Sequence, residues 1–210
     1  MATQKARDRI VNATMSLLAD QSWDRVTLET IADAADISLA QLRDAFDGRT
    51  AILAELARRI DRKVLDNLDP AMAGEPARER LFDILFSRFE ALEGYRPGLR
   101  NLAGAVAGDP FLALELNRIV TASMNWMLAA AGVGQSGPGG MMRAQALAVV
   151  WGQVMRVWLD DDDPGRARTM AELDKRLRQA ERNMLRLERL KRILPGRRRR
   201  KPENTADAAA

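Results

Sequence analysis

Apolar residues recur along most of the chain at intervals of three and four positions, the spacing that places them on one face of an α-helix. No stretch alternates apolar and polar residues for long enough to indicate a β-strand. Glycine, proline and aspartate divide the pattern into separate segments. The helical segments predicted in this way are 4–20, 27–35, 38–46, 49–68, 76–94, 98–107, 110–131, 141–159 and 164–194. The sequence therefore predicts an all-α fold.

The stretch 27–47 predicts two short helices joined by a tight turn. Thr27 is a hydroxyl residue placed to cap the first helix, and Ser38 with Gln41 has the spacing of a capping box for the second. Leu42 would face the core, so most of the second helix would point outward. Such a unit is typical of a helix-turn-helix, whose second helix enters the major groove of DNA. An ordinary helical hairpin would show the same spacing.

The helix predicted at 110–131 is apolar all round, which indicates burial, and the helix predicted at 141–159 is apolar on two faces, so it needs two packing partners. We expect one partner to be the same protomer and the other to be a second copy of the chain. Asp163 and Pro164 form a predicted N-cap and N1 pair for a last helix with heptad-like spacing. This predicts a homodimer through residues 141–190, joined by a four-helix bundle. The predicted interface residues are Trp158, Met170, Leu173, Leu177, Ala180 and Met184.

A set of residues in the first fifty-five positions follows the pattern of a known family. The residues that carry it are Arg9, Ile10, Ala13, Leu17, Leu18, Val26, Thr27, Ile31, Ala32, Ala35, Ile37, Ser38, Leu42, Phe46, Ile52 and Leu53. This run resembles the N-terminal domain of TetR-family transcriptional repressors. The resemblance implies a dimeric all-helical repressor with a DNA-reading N-terminal domain and a larger C-terminal domain that binds ligand and dimerises. The chain departs from the family pattern, which has Gly, Gly, Tyr, His and Lys where this sequence has Asp36, Ala40, Arg43, Ala45 and Arg49.

The resemblance and the predicted exposure of the second helix give candidates for contact with a double-stranded DNA operator. We expect Gln41 and Arg43 to reach base edges, and Thr27, Ser38 and Arg49 to hold phosphates. The full set of predicted DNA-binding residues is Thr27, Ser38, Leu39, Ala40, Gln41, Arg43 and Arg49.

The predicted organisation is a helix-turn-helix domain at 1–50, a helical ligand-binding and dimerisation domain at 51–194, and a basic tail at 195–210 that we expect to be disordered. Large apolar side chains concentrate in the helices at 76–94, 110–131 and 141–159, so we expect a small apolar effector to bind between them. Plain core packing would give the same pattern. The predicted lining residues are Phe86, Phe89, Met124, Trp126, Met127, Trp151 and Met155.

Composition narrows the class of protein further. The chain has no cysteine and no histidine, which removes thiolate chemistry, the side chain best suited to proton transfer near neutral pH and the commonest transition-metal ligand. We therefore expect no enzyme activity, no cofactor and no metal. The acidic run 160–163 lacks the spacing of a calcium loop and fits a helix junction. The polar start of the sequence and the lack of a long apolar run predict a cytoplasmic protein.

Charge is distributed unevenly along the chain. Residues 1–50 hold six Lys or Arg against eight Asp or Glu, a net charge of −2, whereas residues 182–201 hold ten against one, a net charge of +9. An acidic reading domain is a poor match to DNA phosphates. The basic segment 183–201 is amphipathic, and it could contact an anionic membrane, grip DNA phosphates or simply be solvated.

A second resemblance supplies an alternative function. The residues Trp158–Gly165, Thr169 and Leu173–Leu177 resemble the C-terminal part of the ubiquinone-biosynthesis lipid-binding accessory proteins. Those proteins share the TetR fold but act on lipids rather than on DNA. This resemblance implies a lipid-binding accessory protein in place of a regulator.

Overall fold

The structure is a computed structural model that describes residues 3–134 and 136–193, with the side chains of all of them except Leu185 and residues 187–193. This part of the chain contains α-helices and short 3₁₀ turns and no β-strand, which confirms the all-α prediction. The helices are α1 (Gln4–Asp20), α2 (Leu28–Ala34), α3 (Leu39–Ala45), α4 (Arg49–Asp66), α5 (Ala77–Leu92), α6 (Arg96–Val106), α7 (Pro110–Ala130), α8 (Gly137–Leu159) and α9 (Ala167–Ile193).

Helices α1 to α3 form a three-helix head around an apolar core. Ile10, Leu18, Ile31 and Leu42 are buried there, and Trp23 closes the base of the head from a 3₁₀ turn. Leu28 falls on the apolar side of α2 by its spacing, but it lies at the surface in the first turn of that helix. The apolar spacing of α2 therefore gives its packing face correctly except at the first residue.

Helices α4 to α9 form the body. Helix α4 leaves the head and packs on α5 and α7, and α7, α8 and α9 pack on one another in succession before α9 returns against α5. Helix α6 lies along α1, and the Asn101 side chain on α6 donates a 2.8 Å hydrogen bond to the Leu18 carbonyl of α1. The head is therefore held against the body by two helices, α4 and α6. Among the described residues, no helix has the length and apolar content needed to cross a bilayer.

The junction between α8 and α9 differs from the prediction. Helix α9 begins at Ala167, and Asp163 caps it from outside by accepting the Ala167 N–H at 3.0 Å. The residue before the helix, Arg166, has a φ of 53°, so the chain turns once more after Pro164 before it becomes helical. The predicted N-cap and N1 roles of Asp163 and Pro164 are wrong because this extra turn separates them from the helix.

The predicted dimer interface is also wrong for three of its residues, one on α8 and two on α9. Trp158, Leu173 and Leu177 are buried within the single protomer, between α8, α9 and α5. Heptad spacing marks an apolar stripe, but it does not say whether another chain or the same chain covers that stripe. Of the other predicted interface residues, Met170 is exposed, whereas Ala180 and Met184 are half-buried. Residues 195–210, and the side chains of most of the predicted basic amphipathic segment, lie outside the described residues.

Candidate nucleic-acid interface and ligand cleft

The helix-turn-helix has the local geometry that its sequence predicts. The Ser38 hydroxyl accepts the Gln41 N–H at 3.1 Å, and the Gln41 side-chain oxygen accepts the Ser38 N–H at 2.9 Å. Thr27 and Thr30 make the equivalent pair of bonds at the start of α2. Asp36 adopts a φ of 51° in the turn, a left-handed conformation that aspartate tolerates better than most residues with a side chain. The turn therefore keeps its geometry without glycine.

The outward face of α3 carries most of the predicted DNA contacts. Leu39, Ala40, Gln41 and Arg43 are exposed, with Leu39 half accessible to solvent at 50%. The Gln41 oxygen is occupied by the capping box, so its amide NH₂ group is the part that can donate to a base edge. Arg43 forms an exposed ion pair with Asp47 at 2.5 Å, which is one turn further along the chain. An incoming nucleic acid would have to compete with that carboxylate.

Arg49 is placed differently from the expectation that it would hold a phosphate. Its guanidinium lies 4.1 Å above the Trp23 ring, and one nitrogen donates to the carbonyls of Trp23 and Val26 at 2.7 and 2.8 Å. The side chain thus stabilises the 3₁₀ turn at the base of the head. This contact joins two segments that are distant in sequence, so the helical spacing gave no sign of it.

A buried ion pair fixes the end of α3 against α4. Arg7 donates to the Ala45 carbonyl at 2.5 Å and to the Glu55 carboxylate at 2.9 Å, with its guanidinium 4.2 Å above the Phe46 ring. Arg58 donates to the same carboxylate. Burial alone would raise the pKa of Glu55, but the hydrogen bonds from Arg58 and Arg7 outweigh it and hold the pKa below its ordinary value. The orientation of α3 therefore depends on Glu55 staying ionised.

Acid is expected to weaken the head through this carboxylate. Because the pKa of Glu55 is lower in the folded protein, its contribution to stability is complete above the ordinary glutamate pKa and is lost as the pH falls through the folded value. We expect Glu55→Gln to show a weaker dependence of unfolding free energy on pH below about pH 5, where the wild-type carboxylate begins to take up a proton. Urea unfolding at several pH values measures this. Glu115→Gln, which changes an exposed glutamate paired with Arg118, should leave the dependence unchanged.

The predicted effector-lining residues lie mainly in the solid core of the body. The Phe89 ring stacks on Trp151 with centroids 4.1 Å apart, and Met124 and Met127 are completely buried nearby on α7. All four belong to the apolar core of the protein. Trp126, by contrast, points away from the interior and is 60% exposed. Phe86 and Met155 are half-buried.

A polar network that the sequence analysis missed lies at the centre of the body. Asp61 on α4 accepts the Arg88 Nε–H at 3.1 Å and the Ser123 hydroxyl at 2.6 Å, and the Arg88 guanidinium lies 4.5 Å above the Trp151 ring. All four side chains are buried. Asp61 and Arg88 each interrupt the apolar stripe of an otherwise amphipathic helix. That interruption was the signal available in the sequence.

A cleft of about 370 Å³ opens between α5, α7, α8 and α9, beside this core. It lies between the three helices named for the effector, with α9 as a fourth wall. None of the seven predicted lining residues contributes to it. Its walls are formed by Ala77, Arg78, Leu81, Leu128, Val133, Arg143, Ala146, Leu147, Leu177, Ala180, Glu181 and Met184. We call this the α9 cleft.

The protein is thus an all-α protein with a helix-turn-helix head on a larger helical body. Solved structures with the same arrangement identify the fold. A TetR transcriptional regulator from Nitrosomonas europaea is 21% identical with a TM-score of 0.65, covering 83% of this chain and 97% of that one. A TetR transcriptional regulator from Rhodococcus sp. RHA1 is 17% identical with a TM-score of 0.56, covering 84% and 96%.

Thermus thermophilus FadR, a TetR-family transcriptional repressor in complex with lauroyl-CoA, is 20% identical with a TM-score of 0.54, covering 82% of this chain and 91% of that one. No family model matches the chain, and no curated protein matches it in sequence. The chain therefore has the fold of TetR-family transcriptional regulators, as the resemblance in its first fifty-five residues implied.

Proposed function

We propose that the protein is a dimeric, DNA-binding transcriptional regulator, of the repressor type, whose body binds a small apolar effector. The observation that carries the proposal is the exposed face of α3 on a capped helix-turn-helix within a TetR fold. The solved structures of similar fold come from proteins named as transcriptional regulators. Binding to a duplex from the chain's own promoter region, compared with random duplex, tests it.

Arg43 is expected to contribute to sequence preference. A side chain that contacts a base edge discriminates by about 1–3 kcal/mol, so Arg43→Ala should reduce the preference for the promoter duplex roughly tenfold. Arg118→Ala is the matched control, because Arg118 is equally exposed and paired with a carboxylate on its own helix, but it lies on α7. Fluorescence anisotropy titrations with both duplexes measure the effect. An equal loss in the two variants would contradict a direct role for Arg43.

The proposed dimer uses the outward face of α8 rather than the seam on α9. Met142 and Val149 are exposed on that face, Val149 at 52%, and the helix carries only two charged residues along its length, Arg143 and Arg156. A two-fold interface places one surface against itself, so a neutral apolar face suits it. The outer face of α9 instead carries Lys175 and Arg178, each in an ion pair with a carboxylate of the same helix, and burying such charged groups in an interface costs desolvation energy.

Val149→Glu is accordingly expected to convert the dimer to monomers. It would place one carboxylate opposite another near a two-fold axis in an apolar surface. Leu68→Glu is the control, since Leu68 is an exposed leucine after α4 and away from this face. Sedimentation velocity measures both. Unchanged dimers in Val149→Glu would place the interface elsewhere.

The second candidate function is a lipid-binding accessory protein with the same fold. The observation that favours it is that Arg7 and Arg49 are committed to internal contacts, which leaves the acidic head with few arginines for phosphates. Against it, the residues that carry that resemblance pack a helix junction here, with Trp158, Thr169 and Leu173 all buried. A folded dimer with no affinity for any duplex would favour this second candidate.

A further inference from the structure

We propose that the α9 cleft binds the alkyl chain of a single-chain amphiphile, with the polar head of the ligand at the mouth beside Arg78 and Glu181. As the identity of the effector, this inference rests on the proposed function. As a binding site, it rests only on the walls of the cleft.

The inner walls of the cleft are aliphatic. They are formed by leucines from four helices with Val133, Ala180 and Met184, and among the side chains that the structure describes the polar ones lining the cleft are Arg78, Arg143 and Glu181. A ligand hydroxyl or amide placed against the aliphatic walls would lose its hydrogen bonds to water and gain none, which disfavours binding. The buried part of the ligand is therefore hydrocarbon.

The walls also favour a flexible chain over a flat ring. None of the described side chains that line the cleft is aromatic, so an aromatic ligand would find no stacking partner among them. The aromatic residues of the core are already packed on one another, with Phe89 against Trp151 and Trp158. Leucine and methionine side chains change rotamer at low cost and adapt to a methylene chain. The volume of about 370 Å³ is within the range of pockets that enclose small molecules.

Ionic contacts hold the cleft together at one side of its mouth. Arg78 on α5 contacts Asp174 at 2.9 Å and Glu181 at 3.6 Å on α9, and Glu79 at 2.5 Å on its own helix. These contacts tie α9 to α5 beside the opening. The Glu181 contact is the longest of the three, so it is the one that a ligand head could displace. The charges of Arg78 and its carboxylates leave polar groups of both signs at the mouth, where a head group stays hydrated.

The test uses the full chain, without DNA, and two probes that share a twelve-carbon chain: dodecanoate and dodecyl maltoside, both below micelle-forming concentration. Isothermal titration calorimetry should detect both, because the chain supplies the affinity. In a series of shorter carboxylates, affinity should rise roughly fourfold for each added methylene until the cleft is full. Naphthalene-2-carboxylate, a flat anion, should bind at least tenfold more weakly than dodecanoate. Equal affinity for the naphthalene probe, or no binding of either dodecyl probe, would overturn the proposal.

Two variants locate the site. Ala180→Phe fills the cleft, and Met184→Glu places a carboxylate in its wall near the opening, so each should lower dodecanoate affinity at least tenfold. Ala171→Phe is the matched control, because Ala171 lies on the exposed side of the same helix and outside the cleft. If both cleft variants are folded by circular dichroism and still bind dodecanoate with undiminished affinity, the alkyl chain binds elsewhere and the proposal is overturned.

Titration of the same preparations with the promoter duplex separates this proposal from the proposed function. If the protein binds the alkyl probes, the cleft variants abolish this binding and the protein has no affinity for DNA, the proposed ligand site is supported and the proposed regulatory function is contradicted. If the protein prefers the promoter duplex but binds no alkyl probe, the regulatory function is supported and the proposed ligand site is contradicted.

Discussion

Replacing Asp61 with leucine is expected to lower the free energy of unfolding by about 3–5 kcal/mol. The substitution would leave the Arg88 guanidinium buried without its carboxylate, and it would remove the acceptor of the Ser123 hydroxyl. Burial lowers the pKa of Arg88 and the Asp61 charge opposes that shift, so the carboxylate is what keeps the buried cation tolerable. Arginine does not give up its proton in proteins, so the lone cation cannot escape the penalty by becoming neutral.

Urea denaturation of single and double variants measures this effect. Because a well-packed apolar pair is often as stable as a buried ion pair, Asp61→Leu with Arg88→Met should recover most of the loss. Asp47→Leu breaks the exposed pair with Arg43 and is the matched control, with an expected loss of about 0–1 kcal/mol. If Asp61→Leu and Asp47→Leu unfolded at the same urea concentration, the network would have no energetic importance for the fold.

Gly98→Ala is expected to force α6 away from α1 and to destabilise the protein by about 1–3 kcal/mol. A methyl group on Gly98 would lie 2.8 Å from the Met15 carbonyl oxygen and 3.3 Å from the Leu18 side chain. The first contact is with backbone, which cannot rotate aside as a side chain can. The head and body would have to separate, or one of the two helices would have to bend.

Gly104→Ala provides the comparison on the same helix. A methyl group there would meet nothing within 4 Å, and alanine forms helix better than glycine, so this variant should be more stable by about 0.5–1 kcal/mol. Thermal unfolding by circular dichroism should show shifts of opposite sign. Shifts of the same sign and size in the two variants would mean that α6 and α1 are not in close contact.

Local features of the fold were predictable from the sequence. The capping box of Ser38 and Gln41 satisfies backbone groups within four residues, so its sequence and its geometry are almost the same information. The start of α9 was not predictable in this way. Asp161 accepts both the backbone N–H and the hydroxyl of Thr169, eight residues further on, and the loop geometry depends on that longer contact.

The positions of side chains were likewise predictable where they depend on neighbouring residues and not where they depend on distant ones. The exposure of Arg43 follows from its position off the buried face that Leu42 marks on this short helix. Arg49 lies at the start of α4, and its contact with Trp23 joins residues that are far apart in sequence. The spacing of apolar residues indicates that one face of a helix is buried, but it does not indicate which other helix packs on that face. The same limit explains why Leu173 was assigned to a second chain.

The close packing of α6 on α1 affects how the protein can be dissected. Helix α6 covers Met15 and Leu18 on α1 and supplies Asn101 to the Leu18 carbonyl. A fragment cut at the end of the head would therefore expose an apolar surface that the intact chain keeps dry. A negative DNA-binding result from such a fragment would report its misfolding. The reading head should instead be studied by substitution within the whole chain, where α6 stays in place.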